Sequence, residues 1–436
     1  MDIKEIAEVL GEKVPGGIEN VPVSGISIDS RTISKGQIFI GVKGQNFDGA
    51  DYAERAVKKG AILVILQDER KKSKGSFPCI FVRDTYDALQ KIASFNRSKF
   101  NGRVVAVTGS SGKTITKEML SGILSARGKV TKTEGNKNNH IGVPLALLNI
   151  DEETRFAVIE MGMNHMGEIK KLSEIARPDV GVILNVLRAH IGFFSDLRGI
   201  ARAKSEIISG IKKEGVLVLN TEDKNLLDAC AVFKGKKILF GISGKADVKA
   251  ENIHVDELLK PSFELVYGSH KALVSLRVSS VESVFNALAA ASAAVSLGFK
   301  LSEVKEGLES MRTLKGRMDI RIIKDITIID DTYNANPDSV KATLNNLQCF
   351  ENKGRKIFVL GEMFELGENS RKFHREVGSH AVKCGVSMVI AVGNVAAEAG
   401  LASVQGGIKR ENVHLFESNN EAGKFLADEV RAGDAI

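Results

Sequence analysis

The run Val104-Val105-Ala106-Val107-Thr108-Gly109-Ser110-Ser111-Gly112-Lys113-Thr114 leaves few folds open. A β-branched apolar strand enters a glycine turn, and Thr116-Lys117-Glu118-Met119-Leu120 continues as the first turns of a helix. Gly109 and Gly112 let neighbouring N–H groups converge on one point, and the helix dipole adds positive potential there. Lys113 and Thr114 supply an ammonium and a hydroxyl for phosphate and Mg²⁺. A nucleoside triphosphate on Thr108, Gly109, Ser110, Ser111, Gly112, Lys113 and Thr114 is the expectation. Val107 stands where the eight-residue G-x-x-x-x-G-K-[ST] form has its first glycine, so the loop is the shorter T-G-S-S-G-K-T. Tight packing alone would explain the glycines but not Lys113-Thr114.

Around this loop strands and helices alternate. Strands are predicted at 104–107, 129–131, 156–161, 180–185 and 215–220, and helices at 115–126, 167–175, 200–211 and 284–297. Such alternation implies a mainly parallel sheet covered on both faces, with ligands at the carboxyl ends of its strands. A chain of 436 residues exceeds one ordinary core, and three α/β domains are expected. Residues 1–83 form a small N-terminal domain, with helices at 3–10 and 51–59 and strands at 25–28, 37–41, 61–66 and 79–82. Residues 84–314 form the central P-loop ATPase domain, of which 84–103 are a leading helix and junction. Residues 315–436 form a smaller Rossmann-like domain with strands at 325–330, 356–360, 388–392 and 413–416. A helix follows each of these, one opening on the capping box Ser418-Asn419-Asn420-Glu421.

The predicted strand ends carry polar residues. Glu160, Asn164-His165 and His190 close central strands; Glu160 and His190 have the donor types that Mg²⁺ takes, though a hydrogen-bonded loop would use them too. Asp330 to Pro337 and the loop 361–367 take the same position in the last domain. In the first domain, Ser27, Asp29, Ser30, Arg31 and the loop 44–49 are either a ligand site or plain surface, with Arg31 paired to a carboxylate. Lys204 falls on the apolar stripe Ile200, Ala203, Ile207, Ile208 and Ile211 of its helix. Burial would depress its pKa and leave a reactive amine, unless the chain snorkels out from the stripe's edge.

Charge narrows the partners. Lys plus Arg number 61 against 54 Asp plus Glu, a net charge of +7, but the cations are dispersed rather than gathered with aromatics. That pattern excludes nucleic acid and favours small anionic substrates. The N-terminal stretch lacks a secretory apolar core, and the apolar run 283–299 is short for a bilayer, so no membrane insertion and a cytoplasmic address are expected. Cys79, Cys230, Cys349 and Cys384 have no zinc spacing and read as structural thiols.

Four further stretches carry a resemblance: Gly135-Asn136-Lys137-Asn138-Asn139-His140-Ile141-Gly142-Val143-Pro144-Leu145, Glu160-Met161-Gly162-Met163-Asn164-His165-Met166-Gly167-Glu168-Ile169, Asp330 to Ser339, and 360–367. With the P-loop, they resemble the Mur ligases over essentially the whole chain. They are most similar to the member adding D-alanyl-D-alanine to UDP-N-acetylmuramoyl-tripeptide. The resemblance implies an ATP-dependent ligase that forms a C–N bond through an acyl phosphate in peptidoglycan precursor synthesis, as a monomer. It implies ATP on the P-loop, Asn286, Arg317, Asp331 and Tyr333, with Lys113, Lys204 and His190 catalytic. Two Mg²⁺ ions would sit among Thr114, Glu160, His190 and Lys204, the last as a carbamate. Substrate contacts would come from Ser27, Asp29, Ser30, Arg31, Asn138, Asn139, Asn164, His165 and Asn334. Departures stand at Ile115, Lys137 and His140, and at 433–436, where relatives continue into a Lys-Gly-Ser-Arg segment. Another ligase of the superfamily, acting on a different peptide or on folate, would share the P-loop and Lys204 but not Asn164-His165-Met166-Gly167-Glu168 or Tyr333-Asn334-Ala335-Asn336-Pro337. A nucleotide-dependent switch would need neither Lys204 on an apolar stripe nor a third domain.

Overall fold

A computed structural model describes residues 1–19, 21–44, 47–67 and 77–436; residues 45–46 of the expected polar loop lie outside them. The P-loop strand, Arg103–Thr108, lies inside a nine-stranded sheet. From one edge the order is His270–Ser275, Pro261–Tyr267, Val248–Val255, Lys236–Gly241, Val216–Asn220, Val180–Ile183, Arg103–Thr108, Thr154–Glu160 and Lys129–Lys132. The last seven pair in parallel, and the first two add an antiparallel extension.

The P-loop strand shows why both faces must be covered. Val105 and Val107 point into one core with Met119, Leu120 and the helix Glu282–Ser296. Val104 and Ala106 point into another with Val143, Ile169 and Ile200, as the two-residue period requires. The helix Glu282–Ser296 owes its burial to small side chains: Ala287, Ala289, Ala290, Ala291, Ala293 and Ala294 are all buried.

Before this sheet, four parallel strands run in the order Gly25–Ser27, Gln37–Ile40, Leu63–Leu66 and Cys79–Phe81. After it, the hairpin Asp319–Ile323/Ile326–Asp330 precedes three parallel strands, Ile357–Leu360, Met388–Val392 and Val413–Phe416. Ala435 bridges in parallel to both Thr327 and Lys356, joining hairpin to sheet. The expected capping box is present, Ser418 Oγ accepting from Glu421 N at the start of Asn419–Glu429.

Some elements depart from the expected bounds. The helix bearing Lys204 begins at Leu197, because Asp196 caps it by accepting from Gly199 N at 2.7 Å. It tightens into a 3₁₀ turn over Glu206–Gly210, where Gly210 lies against the Ser173 carbonyl so closely that a Cβ would sit 2.0 Å away. Asp48 likewise caps a tight turn, Gly49–Tyr52, ahead of the helix Ala53–Lys58.

Candidate active site

The P-loop is held in shape by its neighbour strand. Asn185, just beyond Val180–Ile183, accepts from Ser110 N at 3.1 Å and Ser111 N at 2.9 Å. Ser110 Oγ donates to Leu187 O at 3.1 Å. Gly112 has φ +82°, and a Cβ there would lie 2.1 Å from Asn286 Oδ1, so both backbone and space demand glycine. The helix Lys113–Leu124 then begins on Lys113 itself, leaving its first N–H groups without helical acceptors. Lys113 Nζ donates back to Gly109 O at 2.8 Å. Burial depresses its pKa, the Arg317 guanidinium adds to that effect, and Glu160 opposes it.

Parallel pairing sets Glu160 opposite Val107, at the mouth of the loop. Glu160 is 1% exposed; its Oε1 accepts from Asn138 Nδ2 at 2.8 Å. Its Oε2 receives no hydrogen bond and lies 3.5 Å from Lys117 Nζ. Lys117, fully buried one helical turn after Lys113, also donates to Gly135 O at 2.8 Å. A buried carboxylate oxygen without a donor, facing a cavity with a hydroxyl and an imidazole, fits a hard divalent cation.

Lys204 is 2% exposed, and burial first, then the Lys113 ammonium, pushes its pKa well below the ordinary lysine value. Among the described residues it has no ion-pair partner. His190 adopts φ +61°. Burial lowers its pKa, the Glu365 carboxylate beside Nδ1 opposes this, and Lys204 and Lys113 lower it further. Three basic groups therefore share one low-dielectric corner, an arrangement suited to binding a polyanion.

A cavity of about 220 Å³ opens over the loop. From the central sheet it is lined by Ser110, Ser111, Gly112, Lys113, Thr114, Asn136, Asn138, Glu160, Asn164 and His190. From the C-terminal segment come Arg317, Asp331, Tyr333, Asn334, Asn336 and Ser339. Arg317 lies 3.9 Å over the Tyr333 ring, a cation–π contact. Asp331 accepts from Thr343 Oγ1 at 2.6 Å and Met318 N at 3.1 Å; burial raises its pKa.

The two sides are joined beside the cavity. Arg188 N donates to Asp338 Oδ2 at 2.8 Å, its Nε to Oδ1 at 3.0 Å, and its Nη1 to Glu376 Oε2 at 2.8 Å. Lys341 Nζ adds a contact to Glu376 at 3.0 Å, and the Arg188 guanidinium lies 5.1 Å from the Phe373 ring centre.

Other predicted residues stand back from the cavity. Thr108 and Gly109 form its floor from behind, a Cβ at Gly109 meeting Leu184 at 2.8 Å. Asn286 is wedged against Gly112, 3.4 Å from Thr116 Oγ1. Asn139 Oδ1 accepts from Ile141 N and Gly142 N, at 3.1 and 3.0 Å, opening the helix Gly142–Leu148. His165 is exposed against Phe193, with ring centres 4.9 Å apart. Ser27, Asp29, Ser30 and Arg31 form their own turn. Arg31 grips Asp29 at 2.8 Å, and this holds the carboxyl pKa down at about 2.

Lys117, Asn185, Arg188 and Glu365 were not singled out from sequence. Asn185 ends the strand beside the P-loop strand, a position that could have marked it. Lys117 follows Lys113 by four residues on the same helix face. Arg188 and Glu365 meet partners 150 or more residues away, and no local pattern marks them.

Three family models match the chain in succession. The Mur ligase family catalytic domain matches residues 22–107, the Mur ligase middle domain 107–294, and the Mur ligase glutamate ligase domain 316–436. The UDP-N-acetylmuramoyl-tripeptide--D-alanyl-D-alanine ligase of Haemophilus influenzae is 38% identical, over 90% of this chain and 85% of that one. The Bacillus subtilis ligase of the same name is 33% identical, over 100% and 94%. A crystal structure of MurF from Acinetobacter baumannii superposes with TM-score 0.89 at 31% identity, covering 100% of this chain and 94% of that one. One of the Thermotoga maritima MurF ligase in complex with ADP gives 0.82 at 31%, covering 95% and 93%. With this cavity, this domain succession and these relatives, the chain belongs to the Mur ligase family.

Proposed function

We infer that the chain is an ATP-dependent ligase that joins D-alanyl-D-alanine to UDP-N-acetylmuramoyl-tripeptide in peptidoglycan precursor synthesis, forming an amide bond. The observation that carries this reading is the cavity at which the P-loop, Glu160 and His190 meet Arg317, Asp331, Tyr333 and Asn334, in a chain similar over 90–100% of its length to ligases of that name.

The tripeptide's terminal carboxylate attacks the γ-phosphorus of ATP, giving an acyl phosphate and ADP. The dipeptide amine then displaces phosphate. The chain contributes mostly position and charge. Lys113 exchanges its own loop carbonyl for phosphate oxygens, and Arg317 faces the nucleotide from the opposite wall. Thr108 to Thr114, with Asn286 behind Gly112, keep the loop open to the triphosphate, while Asp331 and Tyr333 flank it. Asn138, Asn139, Asn164, His165 and Asn334 border the peptide, and Ser27, Asp29, Ser30 and Arg31 receive the UDP-sugar.

Thr114, Glu160, His190 and Lys204 would hold Mg²⁺, two ions in all, which neutralise phosphate charge when bound. Lys204 takes part as a carbamate. A neutral amine, which burial and Lys113 favour, is the form that adds CO₂ with loss of a proton. The resulting anion replaces repulsion of Lys113 with attraction. The working units are residues 1–83, 84–314 and 315–436, in a cytoplasmic monomer; among the described residues no helix is long and apolar enough to cross a membrane.

The test is phosphate release from ATP with UDP-muramoyl tripeptides carrying lysine or diaminopimelate, with and without D-alanyl-D-alanine. Release should require both substrates. Equal release without the dipeptide would overturn this reading.

A further inference from the structure

Two loops from distant parts of the chain interlock at the edge of the cavity. His190-Ile191-Gly192-Phe193 follows a central strand, and Glu365-Leu366-Gly367 follows the first parallel strand of the C-terminal segment. Gly192 N donates to Glu365 O at 2.9 Å, and a Cβ on Gly192 would lie 2.5 Å from Gly367 N. The side chain of Glu365 reaches the other way. Its Oε2 lies close against His190 Nδ1, and its Oε1 accepts from Asn164 Nδ2 at 3.4 Å. Both His190 and Glu365 hold φ +61°, a left-handed conformation uncommon for residues with a Cβ and sustained only where surroundings impose it.

We propose that Glu365 is a positioning residue for His190: a carboxylate supplied by the C-terminal segment fixes the ring and its tautomer, so that the central metal site is completed only when the two segments dock. A carboxylate at Nδ1 favours the Nδ1–H form and leaves the Nε2 lone pair for a cation. The Gly192–Glu365 main-chain hydrogen bond holds the two loops together beside this contact. The inference rests on the reading of His190 as a Mg²⁺ ligand.

Mn²⁺ supplies the probe, titrated by electron paramagnetic resonance into full-length protein saturated with a non-hydrolysable ATP analogue, with circular dichroism checking the fold. Glu365→Ala should weaken Mn²⁺ binding about tenfold or more, the usual effect of losing a carboxylate behind a metal-bound histidine. Glu365→Gln should recover part of the loss, since its amide oxygen still accepts from Nδ1–H. The double variant Glu365→Ala/His190→Ala should bind no more weakly than His190→Ala alone, because one residue acts through the other. Wild-type affinity in Glu365→Ala overturns the proposal. So does a double variant weakened by the product of the single effects, which would mark Glu365 as a docking contact only. If His190→Ala binds Mn²⁺ normally, it is the histidine's assignment as a ligand that fails.

Discussion

In the proposed reaction two lysines do opposite jobs with the same functional group. Lys113 would stay charged to meet phosphate, and Glu160 favours that form against burial. Lys113→Ala should therefore lower turnover by about 10²-fold or more, as the loss of one preorganised electrostatic donor does; ADP release with all substrates present measures it. Lys204 has no such support and is held towards neutrality. Lys204→Ala should be inactive and partly rescued by a short carboxylic acid, and full activity without additive would rule the carbamate out. The position of Lys204 on its stripe was legible in sequence, and its side chain does not snorkel out. Arg31, by contrast, spends its guanidinium on Asp29, and nothing local in the sequence separates that pairing from ligand binding.

At the scale of elements, the P-loop helix is fixed from behind by a near-contact of backbones. A Cβ on Gly307 would lie 2.4 Å from Ile123 Cα, and one on Gly122 2.9 Å from Gly307 O. The helices Lys113–Leu124 and Leu301–Ser310 thus meet through glycine. Gly307→Ala should cost about 1–3 kcal/mol by overpacking, seen as a lower denaturation midpoint in urea with unchanged slope. Periodicity revealed five of the seven parallel strands of the central sheet, because strands buried on both faces read as unbroken runs such as Val104 to Val107, but it missed Lys236–Gly241 and Val248–Val255. It did not reveal the extension His270–Ser275/Pro261–Tyr267. There outward polar residues such as His270, Lys271 and Ser275 interrupt the apolar run, and pairing depends on neighbours rather than on local pattern.

For the molecule as a whole, the meeting of the central and C-terminal segments was legible only as an expectation that both carry residues for one nucleotide. They are fastened by the Gly192–Glu365 main-chain hydrogen bond, by Ile191 packed on the C-terminal core, and by Arg188 paired with Asp338 and Glu376. Arg188 keeps the Asp338 carboxyl below its ordinary pKa even though burial pulls the other way. A carboxylate with a depressed folded pKa stabilises above its unfolded value, about 3.9, and that contribution is lost as the pH falls through the lower folded value. Asp338→Asn should therefore unfold at a lower temperature than the parent protein at neutral pH. The gap in melting midpoints should narrow on acidification below about pH 4, and a gap independent of pH would show that the pair contributes nothing through its charge.

The chemistry of that fastening also bears on how the molecule responds to heat. Separating Arg188 from Asp338 and Glu376 wets charged groups, and polar surface brings little or even negative heat capacity on exposure. Docking through these side chains should then vary gently with temperature, while salt, which screens partly exposed charges, moves it strongly.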